Sequence, residues 1–335
     1  MVSKTANPAI KYSLVIPIFN EEAVLPLLMA RVVNLLEKLD GSCEAIFVDD
    51  GSADTGPIYV GGIARDDQRI RLIKLSRNFG HQVAITAGMQ AASGDAIIVM
   101  DADLQDPPEL VLQMVEKWKE GNDIVYARRT ERAGETWFKK STANLYYRML
   151  DVITDVKIPR DVGDFRLVSR KALDAFLAMP ERDRFVRGMF GWLGFQQAEV
   201  LFERPERAAG ETHYPLWKMM RLAVHGMISF SEKPLRLALW FGLAISGLAA
   251  FAGFFAIGAW MFSDSVVDGW TSTLVVISFL SGINLFMTGI VGLYVGGIHA
   301  EVKRRPLYVV DETVGLDRQV VEKIAAPHQE RRLAG

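Results

Sequence analysis

The residues best suited to chemistry lie in one short segment, MDADLQDPPE, at positions 100–109. Asp101 and Asp103 follow an apolar run, and a period of two directs both side chains to one face where the chain is extended. Adjacent carboxylates repel each other unless a cation lies between them, and hard divalent cations share oxygen ligands with substrate phosphates. The pair predicts a metal-bridged diphosphate. Taken alone, the triplet leaves a solvated polar strand end as an open alternative.

Alternating strands and helices are needed to position this segment. Apolar runs rich in Val and Ile predict buried parallel strands at 13–17, 45–48, 70–75, 96–100 and 123–127. Helical periodicity between them, as at 23–39 and 107–119, predicts an α/β fold with a doubly wound, mostly parallel sheet. Such sheets bind ligands beyond the carboxyl ends of their strands, which here carry PIFNEE, VDDGS, LSRNFG, MDADLQD and ARRTER. The first of these turns lacks the glycines of a dinucleotide site, which argues against nicotinamide or flavin.

Two apolar runs near the C-terminus, 237–262 and 269–298, carry no charge and are long enough to span a bilayer. Buried core helices of a soluble protein rarely stay uncharged all round over such lengths. The loop between the runs carries only Asp264 and Asp268, whereas Lys and Arg flank them on the outer sides. The positive-inside rule therefore predicts a multi-pass membrane protein with both termini in the cytoplasm.

The segment before the first run has the pattern of an amphipathic helix. Within 215–231, Leu, Met and Ala form one stripe, while Lys218, Arg221 and His225 form another. This pattern predicts a helix in the membrane interface, and a helix packed on the α/β domain with a solvated basic edge is the alternative. In the second run, Gly292 and Gly296 have small-xxx-small spacing, which favours close helix packing and a homo-oligomer.

Composition excludes other classes of protein. The chain has 335 residues, 50% of them apolar, which is too many for a disordered tether. Its net charge of −2 argues against a nucleic-acid partner bound by phosphate neutralisation. The single cysteine, Cys43, forms no internal disulfide, so an oxidising compartment is not required. His81 and His299 have no partner at metal-ligand spacing, which favours structural roles.

Several segments together resemble a known family: VIPIFNEE, FVDDGSAD, LSRNFGHQ, AGMQAASGDAIIVMDADLQDPPE, GDFRLVSRKALD, RFVRGMFGWLGF and RAAGETHYP. In this order, and followed by two spans, they resemble the polyprenyl-phosphate glycosyltransferases of the inverting family 2, above all bacterial enzymes that load glucose onto undecaprenyl phosphate. The resemblance covers residues 12–305. It implies a GT-A fold, a UDP-sugar donor, Mg²⁺ or Mn²⁺ as cofactor, and a polyprenyl phosphate lipid as acceptor at the cytosolic face.

The resemblance also implies roles for individual residues. Residues matching nucleotide-binding positions are Pro17, Phe19, Glu21, Asp49, Asp50 and Asp101. The metal positions correspond to Asp101, Asp103 and Gln105, and the catalytic positions to Asp164 and Arg129. Residues at acceptor or phosphate positions are Arg132, Arg166, Arg184, Arg187, Arg207 and His213. Phe19 replaces a frequent Tyr and His213 a frequent Lys, so two polar contacts of relatives are altered.

A role for Asp164 follows from the acceptor that the resemblance implies. A phosphate monoester with a second pKa of about 6 is already largely a dianion at neutral pH, so it needs no base. We therefore expect Asp164 to position the reacting groups. The alternative is a structural aspartate paired with Arg166 or Arg170.

The predicted domain organisation follows these features. A flexible N-terminus at 1–11 precedes a cytosolic GT-A domain at 12–210, a juxtamembrane amphipathic region at 211–234, spans at 235–262 and 269–298, and a cytosolic tail at 299–335. Two other functions stay open. A processive polysaccharide synthase shares the nucleotide and D-x-D motifs, but the sequence lacks its Q-x-x-R-W motif and further spans. The other is a non-catalytic membrane module that binds sugar nucleotide as a scaffold or assists a flippase.

Overall fold

The computed structural model describes residues 10–129, 162–182, 184–202, 233–262 and 269–325. The chain divides into two compact units. The first contains a sheet with its packed helices and includes the C-terminal segment from Arg305 onwards. The second contains two long helices and ends at Arg304.

A mostly parallel sheet forms the centre of the first unit, with eight strands in the part of the chain that the structure describes. The strands are β1 (Tyr12–Ile18), β2 (Cys43–Asp49), β3 (Ile70–Leu75), β4 (Ala96–Val99), β5 (Ile124–Arg129), β6 (Val162–Ser169), β7 (Gln197–Phe202) and β8 (Val310–Val314). Their order is β7-β5-β6-β4-β1-β2-β3-β8. Only β6 and β8 run antiparallel to their neighbours. The sheet confirms the predicted fold class and its first five strands, whereas β6, β7 and β8 were not predicted.

Helices cover the sheet and continue beyond it. They are α1 (Leu25–Lys38), α2 (Gly56–Asp66), α3 (His81–Ala91), α4 (Leu110–Lys119), α5 (Arg170–Ala178), α6 (Val186–Trp192), α7 (Lys233–Phe262), α8 (Trp270–Val302) and α9 (Arg318–Ala325). Because its apolar residues recur at helical spacing, α1 buries one face, formed by Leu25, Leu28, Met29, Val32, Leu35 and Leu36. The small residues of α3 let it lie close to the sheet, and at Gly88 an added Cβ would overlap the side chain of Val15.

The antiparallel strand β6 determines where the candidate site forms. Val99, the last residue of β4, lies opposite Arg166 of β6. Since the two strands run in opposite directions, Asp164 lies just beyond the end of β4, where the chain continues into Asp101. Residues that are distant in sequence are thereby placed at one edge of the sheet.

The C-terminal segment returns to the first unit after α8. Strand β8 pairs with the edge strand β3, and Lys74 forms an ion pair of 3.1 Å with Asp311. The buried Tyr308 donates a hydrogen bond of 2.9 Å to Gln90 of α3, and Ile324 of α9 is also buried. The sequence predicted this segment as a cytosolic tail and did not predict its strand or its helix. Its pairing with β3 covers a sheet edge that would otherwise expose unpaired backbone groups.

The second unit contains the two apolar helices α7 and α8. Their stretches Leu235–Ala252 and Val275–Val302 are long and apolar enough to cross a membrane, judged by length and composition. Large apolar side chains on both helices are exposed, among them Phe254, Phe255 and Leu285. Helix α8 continues to Val302, beyond the predicted end of the second span at 298. The predicted interfacial helix at 215–231 lies outside the described residues.

Candidate functional site

The loops that follow β1 and β2 interlock at the carboxyl end of the sheet. The Asn20 backbone N–H donates to Ser52 Oγ at 2.9 Å, and Asn20 Oδ1 accepts from the Ala53 N–H at the same distance. Asn20 has a φ of 56°, a conformation that asparagine tolerates better than most residues. The side chain of Glu22 accepts hydrogen bonds from Thr55. The predicted grouping of strand ends at one edge of the sheet is therefore present.

Asp49 and Asp50, predicted to hold the nucleotide, differ in the hydrogen bonds that their carboxylate oxygens accept. Both oxygens of Asp50 accept backbone N–H groups, from Phe79 at 2.7 Å and Gly80 at 2.9 Å. Burial raises the pKa of Asp50 despite these hydrogen bonds. Asp49 Oδ1 accepts from the Ser52 N–H at 3.0 Å, while its buried Oδ2 has no hydrogen-bond partner among the described residues. Asp50 thus joins two loops, and Asp49 retains an acceptor oxygen.

The glycine that follows these acids permits the close approach of the two loops. Gly51 has a φ of 75°, and a Cβ there would lie 2.5 Å from the carbonyl carbon of Arg77. Any other residue would therefore separate the β2–α2 loop from the β3–α3 loop and break the contacts of Asp50.

The other predicted nucleotide residues follow β1. Phe19 is 45% exposed at the end of the strand, where its ring can stack against a base, while Pro17 is buried within β1. The pKa of Glu21 is raised, chiefly by burial and then by the charges of Asp103, Asp54 and Asp101. Negative charge is therefore concentrated next to the predicted metal residues.

The predicted metal residues lie together in the loop after β4. Asp103 Oδ1 accepts the Gln105 N–H at 3.0 Å, and Leu104 between them has a φ of 58°. Gln105 is 3% exposed, and its Oε1 has no hydrogen-bond partner in the described part of the chain. Among all the residues that the structure describes, no three Asp, Glu, His or Cys side chains are grouped so that they could hold a metal ion by themselves. The donors nevertheless fit a hard divalent cation that takes its other ligands from substrate phosphates.

Asp164 lies at the centre of a set of donors from three elements. Arg187 of α6 contacts it twice, with Nε at 3.0 Å from Oδ1 and Nη2 at 3.4 Å from Oδ2. Arg166 Nη2 is 3.4 Å from Oδ1. Gln82 Nε2 donates to Oδ2 at 2.9 Å. Both oxygens of this buried carboxylate are therefore held in place.

His81 connects Asp164 to the predicted metal residues. Its Nε2 lies 3.3 Å from Asp101 Oδ1 and 3.4 Å from Asp164 Oδ2. The sequence favoured a structural role for His81 and gave no separate indication of a role for Gln82. Their one sequence signal is their place in LSRNFGHQ, directly after a strand end of the kind that forms sites in such sheets.

Charge pairing governs the ionisation of this cluster. Burial alone would lower the pKa of His81, but the carboxylates of Asp101 and Asp164 outweigh it and raise the pKa to about 10. Burial would likewise raise the pKa of Asp164, but His81, Arg187 and Arg166 hold it well below its usual range. Burial lowers the pKa of Arg166 to about 10 even though Asp164 opposes that shift. At neutral pH, Asp164 is an anion surrounded by cations.

The predicted basic residues separate into three groups. Arg166 and Arg187 join Asp164, whereas Arg184 donates to the carbonyl oxygens of Glu181 and Met179 and lies over the Phe176 ring. Arg170, the alternative partner of Asp164, donates instead to the carbonyl oxygens of Ala92 and Gly94. The third group lies outside the described residues and comprises the side chain of Arg129 together with Arg132, Arg207 and His213.

Comparisons with known proteins identify the family of this chain and several relatives. Residues 13–177 match the model of glycosyl transferase family 2. A glycosyltransferase of Bacillus subtilis (strain 168) is 47% identical, over 92% of this chain and 96% of that protein. A prophage bactoprenol glucosyl transferase homolog of Escherichia coli (strain K12) is 39% identical, over 90% of this chain and 98% of that protein. The bactoprenol glucosyl transferase of Shigella phage SfII is 38% identical, with the same coverage.

One solved structure among those that match is the glucosyl-3-phosphoglycerate synthase of Mycobacterium tuberculosis, in complex with Mn²⁺, UDP-glucose and phosphoglyceric acid. It has 20% sequence identity and a TM-score of 0.46, and the match covers 66% of this chain and 79% of that one.

Proposed function

The chain belongs to glycosyl transferase family 2 and is a glycosyltransferase, and we propose that it transfers glucose from UDP-glucose to polyprenyl phosphate with inversion. The observation that carries this proposal is the placement of Asp164, with its arginines, beside the Asp101–Asp103 loop. A donor diphosphate at that loop would place its sugar next to Asp164. Relatives that are named bactoprenol glucosyl transferases support the choice of glucose and of a lipid phosphate.

In this proposal, the loops after β1 and β2 hold the nucleotide. Phe19 offers an exposed ring for stacking, and Asp49 has a free acceptor oxygen for the N3–H of uracil. Asp50 keeps the loops together through its two backbone hydrogen bonds.

Asp101, Asp103 and Gln105 are the residues that would hold Mg²⁺ or Mn²⁺. When bound, the ion neutralises charge on the donor diphosphate and makes UDP a better leaving group. Asp164 then accepts a hydrogen bond from a sugar hydroxyl or stabilises positive charge at the anomeric carbon. Arg187, which is partly exposed, can turn its guanidinium towards the acceptor phosphate.

The membrane arrangement is part of the same proposal. Helices α7 and α8 cross the inner membrane as a pair. Basic residues lie at the N-terminal end of α7 and the C-terminal end of α8, and they are Lys233, Arg236, Lys303, Arg304 and Arg305. The pairing of β8 with β3 supports this topology. Strand β3 precedes both helices and β8 follows them, so the chain must cross the membrane an even number of times between the two strands. The lipid tail then stays in the bilayer while its phosphate reaches the site, and a homo-oligomer packs through the helix glycines.

The test of this function is a transfer assay on membranes that contain the protein. Membranes with labelled UDP-glucose and undecaprenyl phosphate should yield a product that is soluble in chloroform and labile to mild acid. UDP-galactose should label the lipid less. A water-soluble or insoluble polymer would indicate a processive synthase, and UDP-glucose binding without any product would indicate a scaffold.

The proposed topology gives a separate prediction. Reporters fused at the N-terminus and after residue 310 should both report cytoplasm, because β8 lies in the same sheet as β1. A reporter near Asp264 should report the outside, because the loop between Phe262 and Gly269 has no basic residue that would keep it in the cytoplasm. An externally accessible reporter at either terminus would contradict the arrangement and separate the site from cytosolic donor.

A further inference from the structure

Gln82 links three elements of the site through a single side chain. It lies in the first turn of α3, and its Nε2 donates to Asp164 Oδ2 of β6 at 2.9 Å. Its Oε1 accepts the N–H of Val186, the first residue of α6, at 3.1 Å. The next residue, Arg187, contacts both oxygens of Asp164. One amide therefore holds the carboxylate and the start of the helix that carries its main cationic partner.

The neutral amide of Gln82 restrains the orientation of Asp164, which its charged neighbours do less well. His81, Arg166 and Arg187 attract Asp164 electrostatically, and such attraction allows several orientations of a carboxylate. The hydrogen bond from Gln82 is directional, and at 2.9 Å it is shorter than the contacts of 3.4 Å that Arg187 and His81 make with Oδ2. Its loss would let the carboxylate rotate towards the guanidinium groups.

We propose that Gln82 is a positioning residue for sugar transfer, which fixes the orientation of Asp164 and the distance of Arg187 from it. The inference rests on the role of Asp164 in the proposed function. It extends that function to a residue that acts through its hydrogen bonds to Asp164 and Val186. A displacement of about 1 Å at a reacting group can cost up to about 100-fold in rate, so loss of this support should lower kcat.

Two variants separate positioning from simple structural support. Gln82→Met keeps the length of the side chain and removes both hydrogen bonds, and it should lower kcat by about 10-fold to 100-fold with little change in KM for the donor. Gln82→Glu still accepts the Val186 N–H but cannot donate to Asp164 while ionised. At pH 8 it should therefore be as impaired as Gln82→Met. If the only role of Gln82 were to accept the Val186 N–H, the Gln82→Glu enzyme would instead remain active at this pH.

The pH dependence of Gln82→Glu supplies a second readout. The introduced carboxyl would face the anionic Asp164 and the cationic His81, Arg166 and Arg187. A protonated carboxyl can donate to Asp164 again, so the variant-to-wild-type ratio of kcat should be higher at pH 6 than at pH 8. The matched control is Gln90→Glu on the same helix, which still accepts from Tyr308 and should match wild type at both pH values.

The readout is the release of UDP, measured with and without undecaprenyl phosphate. Absence of lipid-linked product in wild type would contradict the proposed acceptor. In that case, hydrolysis of UDP-glucose still releases UDP, and the variant-to-wild-type ratio of its rate decides the role of Gln82. Wild-type kcat in Gln82→Met overturns the inference. So does a Gln82→Glu enzyme as active as wild type at pH 8.

Discussion

Replacing Asp103 with asparagine should remove most sugar transfer and leave the protein folded. Asp103 Oδ1 accepts the Gln105 N–H, and an asparagine oxygen can accept it equally well, so the loop keeps its shape. A neutral amide is, however, a poor ligand for a hard divalent cation. Since such an ion contributes several kcal/mol to stabilising developing charge, we expect kcat to fall on the order of 10²-fold or more.

The measurement is UDP-glucose turnover by Asp103→Asn and by wild type over a series of Mg²⁺ and Mn²⁺ concentrations. The matched control is Glu109→Gln, which removes a charge from the same segment but alters only an exposed ion pair with Arg31. That control should stay near wild-type activity, because exposed pairs contribute little. Chelation with EDTA should abolish wild-type transfer, and turnover that persists in EDTA would refute the metal assignment.

The part of the site that local sequence determines could be predicted. Strands β1 to β5 are short apolar runs, and polar residues follow each of them directly, so parallel packing alone brings Phe19, Asp50 and Asp103 to one edge. The alternation of strands and helices likewise indicated the fold class, since a parallel sheet requires crossover helices. Apolar length alone indicated α7 and α8.

Contacts that depend on long-range pairing were not predictable. His81 connects Asp164 to Asp101 only because β6 inserts antiparallel between β4 and β5, and no local pattern specifies that direction. His81 looked isolated because its partners are far away in sequence. Strand β8, with the sequence VDETV, is polar and short, since an edge strand needs no buried face.

The second large effect is expected for Asp164→Asn. Positioning by Asp164 predicts a fall in kcat on the order of 10²-fold or more, with nearly unchanged UDP binding. The amide would present a donor to Arg187 and Gln82, which are themselves donors, so the orientation of the group would be lost as well as its charge.

A loss of stability must be separated from this catalytic effect. Arg166 is buried and would lose its counter-charge, and breaking a buried ion pair costs about 3–5 kcal/mol. Arg187 and His81 are partly exposed, so the loss of their counter-charge costs less there. Thermal unfolding and UDP binding of the variant show whether the protein remains folded. Asp174→Asn, which removes an exposed acid on α5, is the control for general effects of the substitution.

The pH–rate profile decides whether Asp164 positions or deprotonates. Its pKa lies well below the usual range, so the carboxylate is ionised throughout the range from pH 5 to 8 and cannot produce an inflection there. The acceptor phosphate, with a second pKa of about 6, needs no base above pH 7. Wild type and Asp164→Asn should therefore give profiles of similar shape with saturating lipid phosphate. An ionisation between about pH 5 and 8 that is present in wild type and absent from Asp164→Asn would show that Asp164 is a titrating base, contrary to our assignment.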